Sequence, residues 1–286
     1  MDSVTRLGVV GCGLMGSGIA EVAARHGLDV RVAEATPEAA ETGRRRVTGS
    51  LDRGVRRGKL SEEERDGALA RLSFTHDLGD LADRQFVVEA VAENRDIKTE
   101  VVRSLDKVVE DPSAILATNT SSIPVVDLAV ATGRPGQVIG MHFFNPVPVQ
   151  RLVEVIPALT TSADTVRRTR DFAGRLGKQT VQAPDRAGFV VNALLIPYLL
   201  GAVRMVESGG ARPEDIDQGM ELGCAHPMGP LRLLDLIGLD TAQAIAESLY
   251  EEFKEPLYGP PALLRRMVAA GHLGRKSGRG FYAYDA

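Results

Sequence analysis

A histidine and a glutamate twelve positions apart form the first candidate group for proton transfer. His142 follows residues 138–141, an apolar run typical of a buried strand, and Glu154 lies in residues 151–156, where polar and apolar residues alternate. A histidine at the end of a strand can act as a base, and a nearby acid can orient its ring. This context makes His142 the best catalytic candidate among the five histidines, with a purely structural role as the alternative.

Small polar residues follow another predicted strand, residues 114–118. The four residues after that strand are Asn119, Thr120, Ser121 and Ser122. In an open parallel sheet ligands bind at the carboxyl ends of the strands, so these side chains are candidates for a binding site. A cap for the segment that begins at Ile123 is another role for them, and the two roles can coexist.

A glycine-rich loop near the N-terminus predicts a nucleotide site. Residues 7–10 read as a buried strand, and the G-x-G-x-x-G spacing that follows opens a predicted helix. Such glycines permit a sharp turn, a close approach of the backbone to a pyrophosphate, and tight packing of the helix on its strand. The phosphates would lie at the helix N-terminus, which favours anions. The predicted cofactor-binding positions of this loop are Gly11, Gly13, Leu14, Met15 and Gly16.

An acid after the next predicted strand, residues 28–33, favours NAD over NADP. Glu34 lies 34 − 11 = 23 positions after the first glycine, close to where an acid accepts hydrogen bonds from the adenosine ribose. Its charge would repel a 2′-phosphate, and residues 35–37 supply no cation to attract one.

Composition limits the class of protein. The chain has 286 residues, 44% of them hydrophobic and 25% charged, as expected for a soluble globular protein of two domains. A net charge of −4 argues against a nucleic-acid partner. Cys12 and Cys224 have no metal or disulfide spacing, so both are expected to be buried thiols in a reducing compartment.

The sequence predicts neither export nor a membrane span, and the expected location is the cytoplasm. No basic segment followed by an apolar one stands at the N-terminus. The most apolar run, residues 189–203, is short for a bilayer and contains Asn192, Pro197 and Gly201, so a buried helix is expected.

A change of pattern near Pro184 separates two predicted domains. Strands alternate with helices before it, whereas nearly everything from Gly188 onward reads as helix. We therefore expect an α/β dinucleotide-binding domain over residues 1–185 and an all-α domain over residues 186–286.

A basic cluster follows Glu34, in a helix predicted to start at Pro37 and to run past Lys59. Its members are Arg44, Arg45, Arg46, Arg53, Arg56, Arg57 and Lys59. The cluster is either a solvated helix face balanced by nearby glutamates or a grip on the phosphates of an anionic substrate.

Taken together, these motifs resemble the L-3-hydroxyacyl-CoA dehydrogenase family over almost the whole chain. The matching segments are GCGLMGSGIA (11–20), NTSS (119–122), MHFFNP (141–146), LVE (152–154), GFVVN (188–192), HPMGP (226–230) and GRKSG (274–278). The resemblance implies an N-terminal Rossmann-like domain and a C-terminal helical domain that forms a homodimer and closes over the substrate. Two positions depart from the family pattern: Glu34, where aspartate is common, and Ala225, where asparagine is usual.

The resemblance also implies an activity, NAD-dependent interconversion of an L-3-hydroxyacyl-CoA and its 3-oxoacyl-CoA. His142 matches the catalytic base, Glu154 its partner, Ser121 the serine that bonds the reacting oxygen, and Asn192 an asparagine that holds the substrate. The residues that match cofactor contacts are Glu34, Glu93, Lys98, Asn119 and Lys276, and Lys59 matches a lysine near CoA.

The acyl group stays open at this point. 3-Hydroxybutyryl-CoA is the default, and 3-hydroxyadipyl-CoA from aromatic degradation is an alternative. A related enzyme for a sugar acid or free hydroxy acid is another reading. A nucleotide-binding protein without turnover is disfavoured, because it has no physical need for Ser121, His142, Glu154 and Asn192 together.

Overall fold

A computed structural model describes residues 4–284 of the chain. It divides into two compact units, Met1–Asp185 and Arg186–Ala286, called here the first and second unit.

The first unit is built on one sheet, and its strands among the described residues are β1 (Arg6–Val10), β2 (Asp29–Ala33), β3 (Leu72–Thr75), β4 (Phe86–Glu89), β5 (Ile115–Thr118), β6 (Val138–Phe143), β7 (Leu152–Pro157) and β8 (Gln179–Gln182). They lie in the order β3-β2-β1-β4-β5-β6-β7-β8. Strands β1 to β6 are parallel, β7 runs antiparallel to β6, and β8 is parallel to β7. The order 3-2-1-4-5-6 is that of dinucleotide-binding sheets, which confirms the expected Rossmann-like α/β fold.

Complete burial of the central strands explains their apolar sequences. Val9, Val32 and Val88 are fully inaccessible to solvent, as strands covered on both faces require. Each such side chain stabilises the fold by about 1.5–3 kcal/mol relative to an exposed one.

The helices of the first unit are α1 (Leu14–Arg25), α2 (Pro37–Arg56), α3 (Glu62–Leu69), α4 (Arg95–Val108), α5 (Val125–Ala129) and α6 (Ala163–Arg175). Helix α2 begins where predicted, with Pro37 in its first turn and the Thr36 side chain accepting a hydrogen bond as N-cap. The prediction that this helix runs past Lys59 is wrong. Gly58 takes φ of +65°, which ends the helix, and Lys59 lies in the turn before α3.

The described part of the second unit is helical, as expected, with α7 (Val191–Glu207), α8 (Pro213–Cys224), α9 (Pro230–Ile237), α10 (Leu239–Phe253) and α11 (Ala262–Ala269). The apolar run near residue 189 forms α7, whose Leu199, Leu200 and Val203 are completely buried. Within residues 4–284, no helix combines the length and the hydropathy that a bilayer crossing needs. The prediction that Cys224 is buried is wrong, because it ends α8 with its side chain exposed.

The departure at Ala225 has a backbone explanation. This residue caps α8 in the left-handed conformation, with φ of 55° and ψ of 32°. Asparagine tolerates that conformation better than alanine does, since its side chain can hydrogen-bond locally. The difference between alanine and asparagine at position 225 therefore affects the C-terminal cap of α8.

Candidate active site

The glycine loop joins β1 to α1, and two of its three motif glycines have no room for a side chain. A Cβ atom at Gly16 would lie 1.8 Å from the carbonyl oxygen of Gly11, and Gly11 itself has φ of +88°. Only glycine can occupy these two positions without moving the turn. At Gly13, by contrast, a Cβ would meet nothing within 4 Å, which leaves open space above the start of α1.

The start of α1 suits an anionic group. Its N-cap, Gly13, offers no side-chain hydrogen bond, and no acidic residue lies in the first turn. Backbone N–H groups at such a helix end bind phosphate. The residues present therefore fit the diphosphate of a dinucleotide.

The loop is braced by Glu34, which follows β2, and by Arg46 of α2. The Glu34 carboxylate accepts a hydrogen bond from the backbone N–H of Cys12, and Arg46 Nη1 donates to the Cys12 carbonyl at 2.6 Å. Burial, together with the Glu34 carboxylate, raises the pKa of the Cys12 thiol to about 12. This thiol stays protonated, and its expected burial is confirmed.

His142 lies between Glu154 and Ser121. Because β6 and β7 are antiparallel, His142 and Glu154 are direct register partners with side chains on the same face. The Nδ1 atom of His142 lies 2.7 Å from Glu154 Oε2, and its Nε2 atom lies 3.1 Å from Ser121 Oγ. Glu154 is completely buried, and His142 is 4% exposed. Two residues that are twelve positions apart in the sequence are therefore in direct contact in the fold.

The turn after β5 presents Ser121 and is fixed from two sides. Asn119 Oδ1 accepts the backbone N–H of Phe143 at 2.9 Å, which ties this turn to the end of β6. Thr120 Oγ1 accepts the N–H of Ile123 at 2.9 Å. Thr120 does not cap a helix, because α5 begins at Val125 with Pro124 as its N-cap. Ser121 lies beside the histidine.

Glu93 holds the same turn from the loop after β4. One carboxylate oxygen accepts hydrogen bonds from Thr120 Oγ1 and from the backbone N–H groups of Ser121 and Ser122, at 2.6–3.0 Å. Burial alone would raise the pKa of Glu93, but the positive charge of Lys98 and these donors outweigh it and lower that pKa. The carboxylate therefore stays charged at neutral pH.

Lys98 reaches this network from α4 and also contacts Glu89, at the end of β4. Its amino group lies 2.7 Å from Glu89 Oε1 and 3.4 Å from Glu93 Oε2. Glu89 is not among the predicted site residues. A glutamate that closes the apolar run FVVE was the available signal, since an acid inside a buried strand needs a partner.

Lys59 lines a surface cavity of about 600 Å³ in the first unit. Arg53, Arg57 and Arg25 line the same cavity, together with Pro146 and Pro148 from the connection between β6 and β7. The basic cluster therefore includes side chains that share a concave surface.

The two remaining predicted site residues belong to the second unit. Asn192 lies in the first turn of α7 and is 9% exposed. Lys276 lies in a short helical turn, and its amino group is 2.6 Å from the Asp240 carboxylate.

Two family models match almost the whole chain. Residues 6–186 match the model of the 3-hydroxyacyl-CoA dehydrogenase NAD binding domain, and residues 188–284 match that of the C-terminal domain of the same enzymes. The chain belongs to the 3-hydroxyacyl-CoA dehydrogenase family. It is an NAD-dependent oxidoreductase, so the predicted cofactor and reaction class are confirmed.

Relatives of this 3-hydroxyacyl-CoA dehydrogenase cover it from end to end. A 3-hydroxybutyryl-CoA dehydrogenase of Mycobacterium tuberculosis is 58% identical over 99% of both chains. The crystal structure of FadB2 from M. tuberculosis has a TM-score of 0.98 and 57% identity, covering 99% of this chain and 100% of that one. The (S)-3-hydroxybutyryl-CoA dehydrogenase of Ralstonia eutropha has a TM-score of 0.94 and 45% identity, with the same coverage.

Proposed function

We propose that this 3-hydroxyacyl-CoA dehydrogenase interconverts L-3-hydroxybutyryl-CoA and acetoacetyl-CoA, with His142 as the general acid and base. The observation that carries the proposal is the position of His142, between a buried carboxylate and the hydroxyl of Ser121. The names of the full-length relatives support the acyl group.

The contacts of His142 assign a role to each ring nitrogen. The Nδ1–H group donates to Glu154, which leaves the lone pair of Nε2 directed toward Ser121. In the oxidation, Nε2 takes the proton of the substrate hydroxyl as the hydride leaves. The Glu154 carboxylate stabilises the imidazolium that results, and Ser121 aligns the reacting oxygen. In the reduction, the same nitrogen returns the proton.

The cofactor site in the first unit combines the glycine loop with Glu34, Glu93, Lys98 and Asn119. The chemistry that the nicotinamide supplies is acceptance of the hydride from the substrate carbon. Gly13 and the first turn of α1 would hold the diphosphate, and Glu34 the adenosine ribose. In the second unit, we propose Lys276 as a cofactor-binding residue and Asn192 as a substrate-binding residue.

The CoA moiety is proposed to bind along the cavity lined by Arg53, Arg57 and Lys59. With Arg25, four cationic side chains line this concave surface, which favours a ligand with several phosphate groups. The thioester, rather than the free acid, would then be the substrate.

The decisive assay follows NADH absorbance with acetoacetyl-CoA, beside parallel reactions with NADPH and with acetoacetate lacking CoA. Rapid turnover is expected only with NADH and the thioester together. NADPH should be a poor cofactor because Glu34 repels its 2′-phosphate, and free acetoacetate should be a poor substrate because it lacks the phosphates that the basic cavity binds. Equal turnover with free acetoacetate would favour a hydroxy-acid dehydrogenase. Faster turnover with a six-carbon dicarboxylic thioester would replace the proposed acyl group by 3-hydroxyadipyl.

We further propose that two copies of the chain associate through the second unit. Leu194 on α7 and Leu222 on α8 are 73% and 79% exposed, and contact with a second copy would remove both side chains from water. Sedimentation equilibrium of the full chain should give twice the monomer mass. A monomer at micromolar concentration would contradict this proposal.

The proposed location is the cytoplasm. Cys12 and Cys224 are both free thiols, which fits a reducing compartment. Cell fractionation with an antibody to the chain tests this assignment.

A further inference from the structure

A buried ion pair lies at the carboxyl edge of the sheet, next to the proposed reaction site. Glu89 ends β4 and Lys98 lies in α4, and the two side chains are 0% and 1% exposed. The oxygens of Glu89 also accept the backbone N–H of Val91 at 2.7 Å and the hydroxyl of Thr118 at 2.8 Å. Glu89 therefore joins the ends of β4 and β5 to α4.

The amino group of Lys98 has three oxygen partners, two through hydrogen bonds and one through an ion pair. They are Glu89 Oε1 at 2.7 Å, the Val91 carbonyl at 3.3 Å and Glu93 Oε2 at 3.4 Å. The other oxygen of Glu93 accepts the backbone N–H of Ser121 at 2.8 Å. A continuous set of polar contacts thus runs from Glu89 through Lys98 and Glu93 to Ser121.

We propose that Glu89 and Lys98 are a positioning pair for Ser121. By fixing the Glu93 carboxylate, the pair holds the turn that places Ser121 Oγ 3.1 Å from His142 Nε2. This inference rests on the proposed role of Ser121 in aligning the reacting oxygen. Lys98 thereby acts on Ser121 through Glu93, in addition to the cofactor contact that the family resemblance implies.

Burial energetics make this pair unusual. Removing a carboxylate and an ammonium from water is expensive, and apolar residues of similar size often stabilise a fold equally well. The pair nevertheless lies at the edge of the sheet where the predicted site residues meet. Positioning the turn of Ser121 is therefore a role for which two apolar side chains could not substitute.

The test uses the double variant Glu89→Gln with Lys98→Met, which removes both charges and keeps the shapes of both side chains. Glu93 loses the contact with Lys98 but keeps its hydrogen bonds from Thr120, Ser121 and Ser122, so the protein should remain folded. We expect kcat to fall by about 10- to 100-fold, because displacement of a reacting group by about 1 Å has effects of that size. KM for acetoacetyl-CoA should change by less than about threefold, because loss of an interaction made only in the transition state lowers kcat and kcat/KM equally.

A matched control comes from the opposite end of the same strand. Arg84 is 1% exposed, and its guanidinium is 2.7 Å from the Asp83 carboxylate and 2.8 Å from that of Asp29. Arg84→Met should lower Tm and leave kcat unchanged, since Arg84 precedes β4 and has no contact with the turn of Ser121. An equal loss of kcat in this control would mean that general loosening of β4 explains the effect, which would overturn the proposal.

A double-mutant cycle with Ser121→Ala tests whether the pair acts through Ser121. In a Ser121→Ala background, removal of the pair should lower kcat by less than about twofold further, because residues that act as a unit are not additive. A full additional loss would overturn the inference, as would a rise in the KM for NADH with kcat unchanged. Glu89→Gln alone is the second variant if the double variant does not fold, and wild-type kcat in it would also overturn the inference.

The same data separate this inference from the proposed function. Wild-type kcat in Ser121→Ala alone would contradict both. Reduced kcat in Ser121→Ala, together with wild-type kcat in the pair variant, would contradict the inference and leave the proposed function standing.

Discussion

His142→Ala should lower kcat by about 100- to 10,000-fold, the usual contribution of a positioned acid or base. The imidazole of His142 lies between Glu154 and Ser121, and alanine has no group that could take the proton of the substrate hydroxyl. The measurement is the rate of NADH oxidation with saturating acetoacetyl-CoA.

Binding of NADH separates a catalytic histidine from a structural one. The glycine loop follows β1, whereas His142 lies near the end of β6, so the dissociation constant for NADH in a fluorescence titration should be nearly unchanged. Equal loss of turnover and of NADH binding would show that His142 serves the fold.

His142→Gln separates the loss of proton transfer from the loss of stability, which His142→Ala combines. Alanine leaves the buried Glu154 carboxylate without its histidine partner, and that alone destabilises the protein. His142→Gln retains an N–H donor for Glu154 but cannot take up a proton at neutral pH. Its Tm should lie closer to the wild-type value than that of His142→Ala, while its kcat should be as low.

The sequence predicts the central strands well because complete burial leaves a simple pattern. Strands β1 and β5 are short and mostly apolar, and their positions agree with the predictions to within one residue. The sequence does not indicate β3 and β8, which are the two edges of the sheet. An edge strand is partly solvated and need not be apolar, as QTVQ in β8 shows.

Candidate residues are visible in the sequence where they follow strands, but their contacts are not. The antiparallel register that places His142 opposite Glu154 depends on the turn between β6 and β7, and residue types do not specify it. Glu89 is harder still, because it looks like the polar end of a strand until Lys98 on α4 is seen beside it. Long-range pairing of this kind requires the folded chain.

Glu154→Gln is the second large effect, and it should lower kcat while the fold survives. Glutamine has the shape of glutamate but no charge, so the imidazolium formed during oxidation loses its stabilising partner. A hydrogen bond to a charged group contributes about 1.5–3 kcal/mol. A loss of that size in the transition state corresponds to a decrease of roughly 10- to 150-fold in kcat.

Orientation adds to the loss of charge. The amide of glutamine can present either its oxygen or its NH₂ group to Nδ1, and the second arrangement places the ring proton on Nε2. That tautomer cannot take a proton from the substrate at Nε2, so part of the variant population would be inactive in the direction of oxidation.

Combination with His142→Gln decides whether Glu154 works through the histidine. If the carboxylate acts only by orienting the ring and stabilising its charge, Glu154→Gln should have almost no further effect on kcat once the ring is gone. Wild-type turnover in the single variant would contradict the role assigned to Glu154. A full additional loss in the double variant would mean that this buried carboxylate acts on the substrate by a route that does not involve His142.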